Sequence, residues 1–146
     1  MTDLIGLSPM SVGDIALRLS CALFASLAVG LERETQDKSA GLRTNLLVGL
    51  ASALVVIVPI QVGAVVQSVD VLGRALQGVM TGAGFVGADT VFGKNRPRGL
   101  TSAAAVWVSA ALSVAAACGQ WQLCLAGALV AWVILRVLDR LEEHLP

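Results

Sequence analysis

The chain has 146 residues, of which 56% are hydrophobic and only 14% charged, with a mean hydropathy of +0.81. Soluble domains carry nearer a quarter charged residues, so a water-soluble globular core is a poor fit. Ten basic and ten acidic residues cancel, and net charge gives no reason to expect a nucleic-acid partner.

Taken in order, five apolar stretches predict membrane-crossing helices near residues 13–31, 45–66, 74–92, 101–118 and 121–138. Each comes close to the roughly 20 residues that cross a bilayer core as a helix. The N-terminus lacks the basic region of a signal peptide, so the first span is expected to stay in the mature protein. Ser11 and Asp14 form an S-x-x-D capping pattern before span one. Asp14 and Arg18 stand i, i+4 inside that span, in the favourable acid-first order. A charge in a span costs roughly 2.5–3.5 kcal/mol at a helix centre. The pair is therefore either a self-paired anchor reaching the interface or a contact to polar groups of a neighbouring span or protein.

Between spans one and two the segment Gly30–Val48 reads as a dense charged loop. It holds Glu32, Arg33, Glu34, Asp37, Lys38 and Arg43, with Thr44 placed to cap span two. Asp70 and Arg74 repeat the acid–base spacing ahead of span three, a Gly-rich and less apolar stretch that ends in Asp89. Thr101 is placed to cap span four. Small residues recur at helical spacing: Ala22, Ser26 and Gly30; Gly78 and Gly82; and Thr101, Ala105, Ser109, Ser113 and Ala117. In lipid such ridges let backbones approach. Packing within the chain is the first reading of these ridges, and a homodimer through a leftover ridge is the second.

Arg33, Lys38, Arg43, Lys94, Arg96, Arg98, Arg136 and Arg140, eight of the ten basic residues, fall on one side of a five-span arrangement. The positive-inside rule then predicts an outside N-terminus and a cytoplasmic C-terminus. Gly41-Leu42 and Gly99-Leu100, with Ala53-Leu54 and Ala111-Leu112 at the same offset, suggest a parallel repeat of two hairpins with a fifth helix added. The fold expected is all-α: one polytopic transmembrane domain over residues 1–146, with no soluble C-terminal domain. Cys21, Cys118 and Cys124 have no CxxC spacing and the lone His144 lies in the tail, so neither zinc nor another cofactor is expected. They read best as buried apolar side chains, although Cys118 and Cys124 flank a turn that would permit a disulfide in an oxidising compartment. With no nucleophile–His pair and no phosphate loop, the chain does not read as an enzyme.

Glu32, Arg33, Glu34, Arg43, Thr44, Lys94, Arg98 and Asp89 are expected to gather at the cytoplasmic face, where spans two and four begin. Carboxylates there can satisfy the helix N-termini. Alternatively those ends, with Arg43 and Arg98, bind a phosphate or lipid headgroup, or Asp89 with Glu32 binds Mg²⁺.

Several motifs, in order, resemble the MgtC/SapB family of bacterial inner-membrane proteins. They are Asp14 and Arg18, GLERE at 30–34, AGLRT at 40–44, Asp70 with Arg74 and Gln77-Gly78, GAGFVGA at 82–88 and GLTSAAAVW at 99–107. Asn45, Ala83 and Asp89 depart from the family's usual His, Ile and Gly. The resemblance implies a regulatory role in growth or survival when magnesium is scarce, through contacts with other membrane proteins, the F-type ATP synthase among them. A small transporter or channel, with a divalent cation such as Mg²⁺ as its cargo, is the alternative. Longer members add a cytoplasmic domain. Reporter fusions after His144 and within the Gly119–Gln122 turn are expected to report opposite sides of the membrane; a same-side result would remove a span from the scheme.

Overall fold

The computed structural model describes residues 9–91 and 99–142, with side chains described through residue 137. Lys94, Arg96, Arg98 and His144, and the side chain of Arg140, lie outside this description. Six helices follow one another: α1 (Val12–Thr35), α2 (Leu42–Gln61), the single-turn α3 (Ala64–Gln67), α4 (Asp70–Asp89), α5 (Leu100–Ala117) and α6 (Trp121–Glu142). There is no strand among the described residues. A helix satisfies its backbone polar groups internally, which is the condition for crossing lipid.

The boundaries correct the sequence reading at the charged loop. α1 runs on through Glu32, Arg33 and Glu34 to Thr35, so the loop shrinks to residues 36–41. Asp37 stops the helix in the left-handed region, with φ 53°. The Lys38 and Asp37 amides donate back to the Arg33 and Glu34 carbonyls at 3.1 Å, a Schellman closure with Asp where Gly is commoner. The N-terminus of α1 is a capping box: Ser11 and Asp14 exchange bonds between side chain and backbone.

Two expected caps are displaced. Gly41 and Gly99, not Thr44 and Thr101, are the N-cap residues of α2 and α5, and both threonines lie inside their helices. The two glycines that mark the sequence repeat thus share a structural position. Their backbones differ, with φ −87° at Gly41 and 116° at Gly99.

α1, α2 and α5 form a mutually contacting triangle; α4 packs on α2 and α5, and α6 on α1 and α5. Of the described helices, α1, α2 and α5 are long and apolar enough to cross a membrane, and α6 carries a shorter apolar stretch, Trp121–Val137. α4 falls short by that criterion, so three of the five expected spans meet it outright.

The triangle closes at a point the sequence reading passed over. A Cβ on Gly49 would collide with Ser26 Oγ and stand 2.8 Å from Ser113 Oγ. One residue each from α2, α1 and α5 meet there. A Cβ on Gly30 would stand 3.0 Å from the Leu42 backbone, so α1 and α2 also touch nearly backbone to backbone. Of the α5 ridge, Ala105, Ser109, Ser113 and Ala117 are buried, while Thr101 is exposed. Gly78 and Gly82 are exposed and have nothing within 4 Å of a built Cβ; they border an open groove beside Val48, Ala51, Ser52 and Val55 of α2 without packing closely against it.

Gly49→Leu and Ser113→Leu are each expected to lower the thermal midpoint in detergent, at the cost of about 1–3 kcal/mol typical of overpacking. Unchanged midpoints for both would mean that the triangle is not closed at this level.

Candidate functional site

Apolar triangles in lipid gain specificity from the polar groups they bury, and this one buries a row of separately bonded pairs. Starting mid-bundle, Ser26 and Ser113 share a hydrogen bond of 3.1 Å. One turn along α5, Ser109 Oγ donates to Asn45 Oδ1 at 2.8 Å. The Asn45 amide nitrogen in turn donates to the Ala40 and Gly41 carbonyls at 3.1 and 2.8 Å. Asn45 is wholly buried and ties the start of α2 to the middle of α5.

Two further turns along α5 the seam becomes charged. Arg33 is only 1% exposed and donates from Nη2 to Ser102 Oγ at 3.3 Å. Its neighbour Glu32, 3% exposed, accepts from Gln36 Nε2 at 2.6 Å and from Arg136 Nη1 at 3.2 Å. The Arg136 guanidinium also lies 5.7 Å from the Trp132 ring centroid, a cation–π distance. Glu32 therefore ties α6 to α1. Glu34 points the other way: its carboxylate accepts from the Leu42 amide at 2.8 Å, capping α2 from a neighbouring helix and favouring its positive end.

Beside Arg33 opens a polar cavity of about 600 Å³, lined by Arg33, Gln36, Asp37, Lys38, Ser39, Gly99, Thr101 and Ser102. Arg33, Lys38 and Thr101 meet at this cavity. Arg43 is exposed at the start of α2 and Thr44 half-buried beside it, and neither lines it. Asp89 is exposed at the end of α4 and borders a separate small pocket with Phe85, Val86 and Ala88. With Glu32 already engaged by Arg136 and Gln36, the structure does not bring Asp89 and Glu32 together as a cation pair. Among the described residues no three His, Cys, Asp or Glu side chains gather in a metal-binding group.

At the opposite end of the bundle Asp14 and Arg18 part company. The Asp14 carboxylate accepts from Ser11 Oγ at 2.8 Å. Arg18 Nη1 donates to the Ala117 carbonyl at 2.6 Å, placing a cation on the negative end of α5. That end is a Schellman turn: the Gly119 and Gln120 amides return to the Ala116 and Ala115 carbonyls, both at 2.9 Å. Gly119 has φ 78°, and a Cβ there would stand 3.1 Å from the Arg18 guanidinium, so glycine serves both the turn and the close approach. The three cysteines are free. Asp70 and Arg74 pair with each other at 3.0 Å on an exposed face of α4.

Asn45 and Gly49 are the residues that sequence reasoning undervalued. Their signal was present, since an amide and a glycine one turn apart in an uncharged span are both out of place facing lipid. Arg18→Leu is expected to lower detergent stability by about 1.5–3 kcal/mol, the loss typical of a hydrogen bond to a charged group. Arg18→Lys should retain part of it, and Asp14→Asn, which leaves most of the cap, should cost less. Equal midpoints for Arg18→Leu and the parent chain would remove Arg18 as the α5 cap.

The seam and the Glu32–Arg33 end fall on a segment shared with known proteins. The sequence profile of the MgtC family matches residues 19–144. SrpB of Synechococcus elongatus is 37% identical over 140 residues, covering 88% of this chain and 77% of SrpB. YhiD of Escherichia coli K12 is 38% identical, covering 90% of this chain and 64% of YhiD. MgtC of Salmonella typhimurium is 31% identical, covering 89% of this chain and 56% of MgtC. The chain thus spans less than two thirds of YhiD and of MgtC. No solved structure matches. With helices apolar enough to cross a bilayer and a family match over most of its length, the chain is a membrane protein and belongs to the MgtC family.

Proposed function

We propose that this chain is a regulatory membrane protein that supports growth when magnesium is scarce, acting by contact with other membrane proteins. The observation that carries this reading is the closed triangle at mid-bundle. Ser26, Gly49 and Ser113 leave no room for an added methyl group, and their hydroxyls satisfy each other. Mg²⁺ gives up its water reluctantly and needs oxygen ligands along any route it takes. The polar seam supplies few, and these are engaged in separate bonds, Ser102 with Arg33, Asn45 with Ser109 and Ser113 with Ser26.

The resemblance to MgtC supplies the physiological half of the proposal, and through it the F-type ATP synthase is one partner to test. The family resemblance implies an inner-membrane location, and the distribution of basic residues supports an orientation with the Glu32–Arg33 end in the cytoplasm and the N-terminus outside. Arg33 at the mouth of its cavity, with the adjoining turn, gives that end a polar surface for contact. The second reading is transport, favoured by the similarity to YhiD, a candidate magnesium transporter by name.

Two measurements separate the readings. Purified protein in liposomes is expected to take up Mg²⁺ no faster than empty vesicles, while the same chain restores growth in magnesium-limited medium to a host lacking its relative. Glu32→Gln and Arg33→Gln are expected to reach the membrane at parental levels and fail to restore growth. Specific Mg²⁺ uptake by the parent chain would replace regulation with transport.

A further inference from the structure

α4 is built the wrong way round for a helix against lipid. Successive residues turn by 100°, and Val79, Ala83 and Gly87 face the bundle. The opposite arc presents Asp70, Arg74, Gln77, Gly78, Thr81 and Gly82, all exposed. Its large apolar side chains are Phe85, 80% exposed, and the half-buried Val71. A surface helix of a soluble protein has this pattern; in hydrocarbon, polar side chains instead face protein or water.

Depth sharpens the point. Val79 and Ala83 pack with Ala110 and Val114 of α5 and Val48 of α2, two helices that are themselves apolar enough to span. Ala110 lies in the middle of α5. Gly78, Thr81 and Gly82 therefore sit at mid-span level, where no interfacial water meets their side chains and exposed backbone. Thr81 turns its hydroxyl inward to the Gln77 carbonyl at 2.8 Å. The Gln77 amide stands one turn nearer the Asp70 end.

We propose that this face of α4 is covered by a second copy of the same chain, related by a two-fold axis along the membrane normal. The face is self-complementary in charge. Asp70 and Arg74 are 73% and 69% exposed as side chains while bonded to each other, so two parallel copies bring two acids and two bases together as a neutral set of four. A side-chain amide both donates and accepts, so Gln77 can bond its own copy across the axis. Gly78 and Gly82 let the backbones approach, as small residues four apart do in membrane dimers. A two-fold contact uses the same patch on both partners, which one neutral face bearing both signs provides. This contact also accounts for the failure of α4 to qualify as a span by hydropathy: its outward face meets protein.

The test is oxidative cross-linking of the full chain in native membranes, with the parent and its three native cysteines as control. Thr81→Cys is expected to give a disulfide-linked species of twice the chain mass. Leu54→Cys and Leu129→Cys, exposed on α2 and α6, should not. Adding Gly82→Leu to Thr81→Cys is expected to reduce the cross-link about tenfold, as for loss of one such close contact. Because a Cβ at Gly82 meets nothing within 4 Å, Gly82→Leu should leave the thermal midpoint of the detergent-dispersed monomer unchanged. Absence of the dimer at Thr81→Cys, an equal yield at Leu129→Cys, or an adduct of another mass would each overturn the proposal. The last of these would assign the face to a different membrane protein.

Discussion

The close meeting of α1, α2 and α5 at Ser26, Gly49 and Ser113 is the constraint on which the rest of the bundle depends. Between helices in lipid, burying apolar surface gives little drive, because acyl chains are as apolar as leucine. Association must come from backbone proximity and from hydrogen bonds that have no better partner outside. Gly49 permits the first, and the Ser26–Ser113 and Ser109–Asn45 bonds provide the second. Asn45 also bonds the Ala40 and Gly41 carbonyls, so the packing of α2 on α5 and the turn leading into α2 are a single event. A change at Asn45 would therefore be felt in both.

Around that triangle the charged residues act as fasteners between helix ends. Glu34 of α1 caps α2, Arg18 of α1 caps the far end of α5, and Glu32 of α1 holds Arg136 of α6. All three originate on α1, which makes it the organising helix. Each joins a charge to an oppositely polarised helix end or to a counter-charge, the arrangement that reduces the cost of keeping it near lipid. Gln61 and Met10 add a reciprocal tie, amide to backbone, between the end of α2 and the entry to α1. Arg33 differs from these fasteners in bordering a cavity as well as a buried hydroxyl, and this is why the functional proposal centres on its end of the bundle.

Much of this was legible in the sequence, for reasons that can be named. The alternation of charge-free runs with charge clusters gave the helices their approximate places, since the penalty for a charge in lipid is large and local. The i+4 ridge gave Ser109 and Ser113 their inward direction, because a helix face is fixed by spacing alone. What hydropathy could not place was the end of α1. Glu32, Arg33 and Glu34 look like loop residues by composition, yet their backbone continues a helix because each carboxylate or guanidinium finds a partner on another element. The caps were misplaced for a related reason. A threonine near a helix start is a local signal, but Glu34 supplied the α2 cap from eight residues away, and no local pattern reports that. Of the two readings left open for Asp14 and Arg18, Arg18 makes the contact to a neighbouring helix, since i, i+4 spacing permits a bond without requiring one when Ser11 and the end of α5 compete.

Gly78 and Gly82 show most plainly where sequence spacing stops and structure begins. Their GxxxG pattern is the same whether it packs inside the chain or outside it, and only the placement of Val79 and Ala83 against α5 decides the matter. Once those two point toward α5, the glycines, four residues apart, turn away from it and lie between the exposed Arg74 and Thr81 and an open groove beside α2. A helix that buries its apolar side and shows its polar side is stable in lipid only if that polar side is covered. The seam stabilises the inner triangle by pairing polar groups within one chain. By the same reasoning, the second copy proposed above would stabilise the outer face of α4 by pairing such groups between chains.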